Sequence, residues 1–111
     1  MAIEKRKIEE ILVLDIHNDL DVENAQAVRS AIEDSIRNQK YEVIINLADV
    51  PLVTSRGIGT LITSQTKLKK YGGDMRICNV SEQNMSVFKV TKLNTIFQIF
   101  SSEEEAISSY K

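Results

Sequence analysis

Apolar and polar positions alternate along this chain in blocks that each suit one kind of element. Residues 10–16, Glu-Ile-Leu-Val-Leu-Asp-Ile, concentrate branched apolar side chains in a short run, which predicts a strand. Asn18-Asp19-Leu20-Asp21 reads as a turn, because Asn and Asp accept left-handed backbone and bond to their own main chain. Asp21 then caps a helix over about 22–39, where Val22, Ala25, Val28, Ala31, Ile32 and Ile36 recur at three- and four-residue spacing. Residues 42–47 are almost continuously apolar, as in a strand covered on both faces, and Pro51 lies beyond its end. Ile58, Leu61, Ile62, Gln65 and Leu68 predict a helix over about 56–71, capped by Ser55 or Thr54 and stopped by Gly72-Gly73. Residues 74–80 read as a strand. Ser81 caps a helix over about 82–92, with Met85, Val87 and Phe88 inward. Residues 96–100 read as a short strand. Ser102 and Glu105 form a capping box that opens a last helix to about Ser109. Residues 3–8 can add an antiparallel edge strand.

Strands alternating with helices imply an α/β fold: a mixed, mostly parallel sheet of four to five strands with about four helices packed on it. The 111 residues suit a single domain, 1–111, with no internal repeat or linker. Hydrophobic residues at 42% and charged residues at 27% match an ordinary globular chain. The apolar runs fall far short of the ~20 residues that cross a bilayer, and the N-terminal residues do not read as a secretory signal. A cytoplasmic protein without membrane association is expected. Fourteen basic against sixteen acidic residues leave a net charge of −2, which argues against nucleic-acid binding. One cysteine, one histidine and no tryptophan leave no metal cluster, no disulfide and little for hydrolytic chemistry. No enzyme activity, cofactor or metal is expected; a protein that works by binding is.

Residues 52–73 carry the most information. Gly57 and Gly59 sit on the first turn of a helix, where each costs about 1 kcal/mol against alanine. Around the helix axis, Arg56, Gly59, Thr60, Thr63 and Lys67 fall opposite the apolar stripe. Gly and Thr are poor helix formers, so this face is low and bare beside Ser55, and another protein can approach it closely. The N-terminal end of a helix favours an anion. A phosphate on Ser55 would add roughly −1.5 to −2 charges while leaving the fold intact. Locally, Ser55 also reads as a plain N-cap, and the glycines as devices for close packing. Gly57-Ile58-Gly59 lacks the third glycine of a dinucleotide fingerprint.

The same segment resembles the STAS domain family, most closely the bacterial anti-sigma factor antagonists, and the resemblance covers nearly the whole chain. Asn18-Asp19-Leu20-Asp21, with Asn24-Ala25 and Val28-Arg29 behind it, resembles the family's G-x-L-D turn and first helix. Val43-Ile44-Ile45-Asn46-Leu47 resembles its central strand, and Thr54-Ser55-Arg56-Gly57-Ile58 its D-S-S-G-L or S-S-A-G-L signature. Tyr71-Gly72-Gly73 and Leu93-Asn94-Thr95-Ile96-Phe97 resemble its later G-G and G-L-x-x-I-F segments. The resemblance implies an antagonist that binds an anti-sigma factor, itself a serine kinase of the GHKL type, and so frees a sigma factor for transcription. The kinase phosphorylates a residue at the start of the second helix, the pair separates, and a serine phosphatase resets the cycle. The partner supplies the nucleotide. A monomer or weak homodimer is expected.

In the D-S-S-G form the acceptor directly precedes the glycine, where Arg56 stands here; in the S-S-A-G form it lies one residue earlier, at Ser55. Ser55 is therefore the favoured acceptor and Thr54 the second choice. The expected partner-binding set is Asp21, Thr54, Ser55, Arg56, Gly57, Gly59, Thr60 and Thr63. Arg56 also motivates an alternative, an unphosphorylated binding or scaffold module such as a lipid-transport accessory subunit. A third class, a small enzyme, rests on Asp15, His17, Asp19 and Asp21 near one turn. Structural roles suit these better, as does a buried place for Cys78.

Overall fold

In the computed structural model, residues 3–111 are described, and the expected alternation takes the following form. A hairpin of β1 (Ile3–Ile8) and β2 (Ile11–His17) opens the chain, turning on Glu9 at φ +55°. Then come α1 (Val22–Arg37), β3 (Glu42–Asp49), α2 (Ser55–Lys70), β4 (Asp74–Cys78), α3 (Glu82–Val90), β5 (Ile99–Phe100) and α4 (Glu103–Ser108). One sheet runs in the order β1-β2-β3-β4-β5. β1 pairs antiparallel with β2, and every other neighbour is parallel.

The near-continuous apolar runs of β2 and β3 have two faces to satisfy. Leu14, Ile16, Val43, Ile45, Leu47, Met75 and Ile77 form the main core with Val28, Ala31 and Ile32 of α1, Leu61 and Leu68 of α2, and Phe88 of α3. Ile11, Val13, Ile44 and Cys78 form a smaller core with Ala106 of α4, and Ile107 and Tyr110 pack against it. Each of the Val, Leu, Ile, Met and Phe side chains among them, fully buried, contributes about 1.5–3 kcal/mol. Tyr110 also hydrogen-bonds the carbonyls of Val43 and Asp74, which fastens the end of the described chain to two central strands. Among the described residues no helix is long and apolar enough to cross a membrane.

Three expectations need correction. The strand expected over 96–100 shrinks to Ile99–Phe100, because Leu93–Thr95 form a 3₁₀ turn entered through Lys92 at φ +62°. Leu93 and Phe97 are both buried, and the Phe97 amide donates to Leu93 O at 3.0 Å, an α-type turn that carries side chains four apart to one side. The strand expected over 74–80 ends at Cys78, where Asn79 takes φ +61°. The capping box is half made. Ser102 Oγ accepts from the Glu105 amide at 3.1 Å, but the Glu105 carboxylate accepts from the hydroxyls of Ser101 and Ser102.

Candidate functional site

Asn18 adopts φ +73°, the left-handed turn its residue type favours, and sends the chain from β2 back toward α1. Its amide donates to Asp49 O at 3.1 Å, and the Leu20 amide to Leu52 O at 2.9 Å. Leu20 O in return accepts from the Thr54 amide at 3.3 Å and from the Thr54 hydroxyl at 2.7 Å. These bonds stitch the loop before α1 to the loop before α2, so two helix N-termini lie together at the carboxyl ends of β2 and β3. Asp21 caps α1 by accepting from the Asn24 amide at 3.0 Å, and Asn24 Nδ2 donates back to the carbonyls of His17 and Asp19.

The cap of α2 is Thr54, whose hydroxyl accepts from the Gly57 amide at 3.2 Å while donating to Leu20. Ser55 is the first helical residue and is exposed. Among the described residues no hydrogen bond engages its hydroxyl. The choice between Thr54 and Ser55 as cap, open in the sequence, thus falls to Thr54.

The two glycines do different things. A Cβ on Gly57 would stand 2.6 Å from Leu20 O and 2.7 Å from Leu20 Cγ, so only glycine lets α2 seat on the Leu20 loop. A Cβ on Gly59 would meet nothing within 4 Å. The buried stripe of α2 runs through Gly57, Thr60, Leu61, Ser64, Gln65 and Leu68; Leu61, Gln65 and Leu68 lie on it as expected, and Ile58 and Ile62 are half-buried at its margin, packed against the core. Thr60, expected on the bare face, turns inward at 8% exposure, because it lies one turn on from Gly57 on the side that meets the Leu20 loop. Ser55, Arg56, Gly59 and Thr63 remain exposed. Two apolar side chains join them at this end of the molecule, Val22 at 58% and Leu52 at 44% exposure. Lys67 of α2 pairs with Glu33 of α1 at 3.1 Å.

The acidic residues and the histidine do not converge. Asp15 accepts two bonds from Arg6, at 2.5 and 2.8 Å, and one from Asn46 at 2.8 Å. The Arg6 guanidinium holds its carboxyl below the usual range. Arg6 also pairs with Glu103 of α4, which places this cluster on the face opposite α1 and α2. His17 bridges Glu4 at 2.7 Å and Asp49 at 2.8 Å, and these carboxylates, Glu4 foremost, raise its pKa. Asp21 is occupied as a cap. Burial pushes the Cys78 thiol up to about 12. Among the described residues no group of three or more His, Cys, Asp or Glu side chains suits a metal ion.

One residue escaped the sequence reading. Asn84 of α3 is fully buried and hydrogen-bonds both Val50 O, at 3.0 Å, and the Val53 amide, at 3.2 Å. A polar residue on the inward face of a short helix was the available signal.

Residues 2–106 match the family model for the STAS domain. The chain is 26% identical over 105 residues to the anti-sigma-B factor antagonist of Bacillus subtilis, covering 95% of each. Its fold superposes on the anti-sigma factor antagonist SpoIIAA in its unphosphorylated form with a TM-score of 0.79 at 21% identity, covering 98% of this chain and 97% of that one. The phosphorylated form of SpoIIAA from Bacillus gives 0.78 at 22%, covering 99% and 100%.

Proposed function

The chain belongs to the STAS domain family, and from that premise we propose that it is an anti-sigma factor antagonist switched by phosphorylation of Ser55. In its unmodified state it docks an anti-sigma factor through the exposed start of α2 and the adjoining start of α1, and so frees a sigma factor. The partner is a serine kinase of the GHKL type that carries the nucleotide. The Ser55 oxygen attacks the γ-phosphorus of bound ATP, the bond from that phosphorus to the β,γ-bridging oxygen breaks, and ADP leaves. The hydroxyl proton passes to a base on the kinase. A serine phosphatase hydrolyses the ester and restores the docking state.

The carrying observation is the contrast between two adjacent hydroxyls. Thr54 spends its hydroxyl on the Gly57 amide and the Leu20 carbonyl, so a phosphate there would break the cap and the stitch between loops. Ser55 is exposed, unengaged, and stands at the positive end of a 16-residue helix. A phosphate there is favoured by the dipole, by roughly 0.3–1 kcal/mol, so the fold tolerates it. The same two negative charges, set among Val22, Leu52 and Gly59, would have to lose water on docking. The helix start thus accepts the charge while the interface rejects it.

Arg56 supports a second reading, a constitutive binder, because it occupies the position of the acceptor in the D-S-S-G form. Incubation with the cognate kinase and ATP, followed by mass spectrometric mapping, separates the two. Phosphate on Ser55, lost in Ser55→Ala, is expected. Ser55→Asp is expected to weaken binding to the anti-sigma factor at least tenfold, about 1.4 kcal/mol. An unphosphorylated Ser55 together with equal binding by Ser55→Ala and Ser55→Asp would establish the constitutive binder instead.

A further inference from the structure

The loop between β3 and α2 is held on one side by Leu20 and on the other by a single side chain. Val50 and Val53 are both buried, at 3% exposure each, so their backbone groups are shut off from water. The Val50 carbonyl and the Val53 amide find their partners on Asn84, which donates through Nδ2 to the first and accepts through Oδ1 from the second. A carboxamide carries its donor and its acceptor on two separate atoms, and Asn84 uses one of each. Its own backbone is fixed in turn, because its amide donates to the Ser81 hydroxyl that caps α3 at 3.1 Å. Rotation of Asn84 is therefore closed off at both ends. Val53 directly precedes Thr54, whose hydroxyl starts α2 and sets the place of Ser55.

We infer that Asn84 is the positioning residue of the switch: from α3, 31 residues beyond Val53 along the chain, it fixes where the start of α2 presents Ser55. The inference builds on the reading of Ser55 as acceptor, and it extends the functional unit to an element that does not form the docking face. Buried backbone groups that lose their partner either open the loop to water or stay unsatisfied, and the first outcome moves Ser55.

Amide hydrogen exchange on the full ¹⁵N-labelled chain tests this without any partner. Asn84→Ala is expected to speed exchange at the Val53 amide roughly tenfold or more, with Ser55 and Arg56 showing shifted resonances, while amides in β3 and β4 keep their wild-type rates. Phe88→Leu, on the same helix and in the main core, serves as the control for general destabilisation. Exchange at Val53 raised no more by Asn84→Ala than by Phe88→Leu, at matched loss of melting temperature, would overturn the inference. Should Asn84→Ala not fold, the wild-type chain decides: the Asn84 Nδ2 protons must be protected from exchange as long as the Val53 amide, and fast exchange there overturns it. In the kinase assay, Asn84→Ala should lower kcat for Ser55 phosphorylation at least fivefold with KM changed less than twofold; an unchanged kcat speaks against the inference. Absence of phosphate on wild-type Ser55 would instead remove the acceptor assignment, and the exchange result stands apart from it.

Discussion

A single methyl group separates the two glycines at the start of α2. On Gly57 it would intrude on Leu20 from 2.6 Å, and overpacking of this kind costs about 1–3 kcal/mol. On Gly59 it would enter open space and remove the entropic penalty of glycine, a gain of about 1 kcal/mol. Urea unfolding should accordingly find Gly57→Ala destabilised and Gly59→Ala stabilised. Equal effects would contradict the close seat of α2 on the Leu20 loop. The adjacent hydroxyls should divide in the same way. Thr54→Ala loses the cap and is expected to cost about 1–2 kcal/mol, while Ser55→Ala should stay within about 0.5 kcal/mol of wild type in the same assay. Sequence alone left Thr54 and Ser55 level, since either residue type caps a helix; only the position of Leu20 O decides between them.

Helix starts were the most legible elements, because a cap and its helix lie within four residues of one another. Asp21, Ser81 and Ser102 all cap as their residue types suggest. Where the outcome depends on distant packing, legibility falls. The buried face of α2 extends beyond the expected residues to Gly57, Thr60 and Ser64, because Gly57 lies under Leu20 from another loop. The run 96–100 looked like a strand by composition, yet burial of Leu93 and Phe97 required a turn of helix first. For Asn84 the sequence signals only a polar residue on an inward helix face; its two partners, 31 and 34 residues away, are not legible. At the site itself, residue types suffice to put Ser55, Arg56, Gly59 and Thr63 on an exposed face, whereas Thr60, expected beside them, is buried.

Across the whole molecule, stability should depend on pH through groups that join distant parts of the sheet. His17, held by Glu4 of β1 and Asp49 of β3, has its pKa raised in the folded chain. The stabilisation it gives is fully present below its unfolded value, about 6.5, and is lost as pH rises through the folded value. Asp15, lowered by Arg6, works the other way: its contribution is present above about 3.9 and is lost as pH falls through its folded value. Melting temperature should therefore peak on the mildly acidic side of neutrality, and His17→Gln should flatten the decline between about pH 6 and 8. A decline that persists unchanged in His17→Gln would place its origin elsewhere. The sheet that carries these groups has two free borders. β1 presents Lys5, Arg6 and Lys7 in sequence, and β5 is two residues long. Strands so charged or so short make poor templates for one another, and an unprotected border is how sheets recruit strangers into fibrils. With both borders guarded in this way, the folded chain can accumulate to high concentration without seeding aggregates of itself.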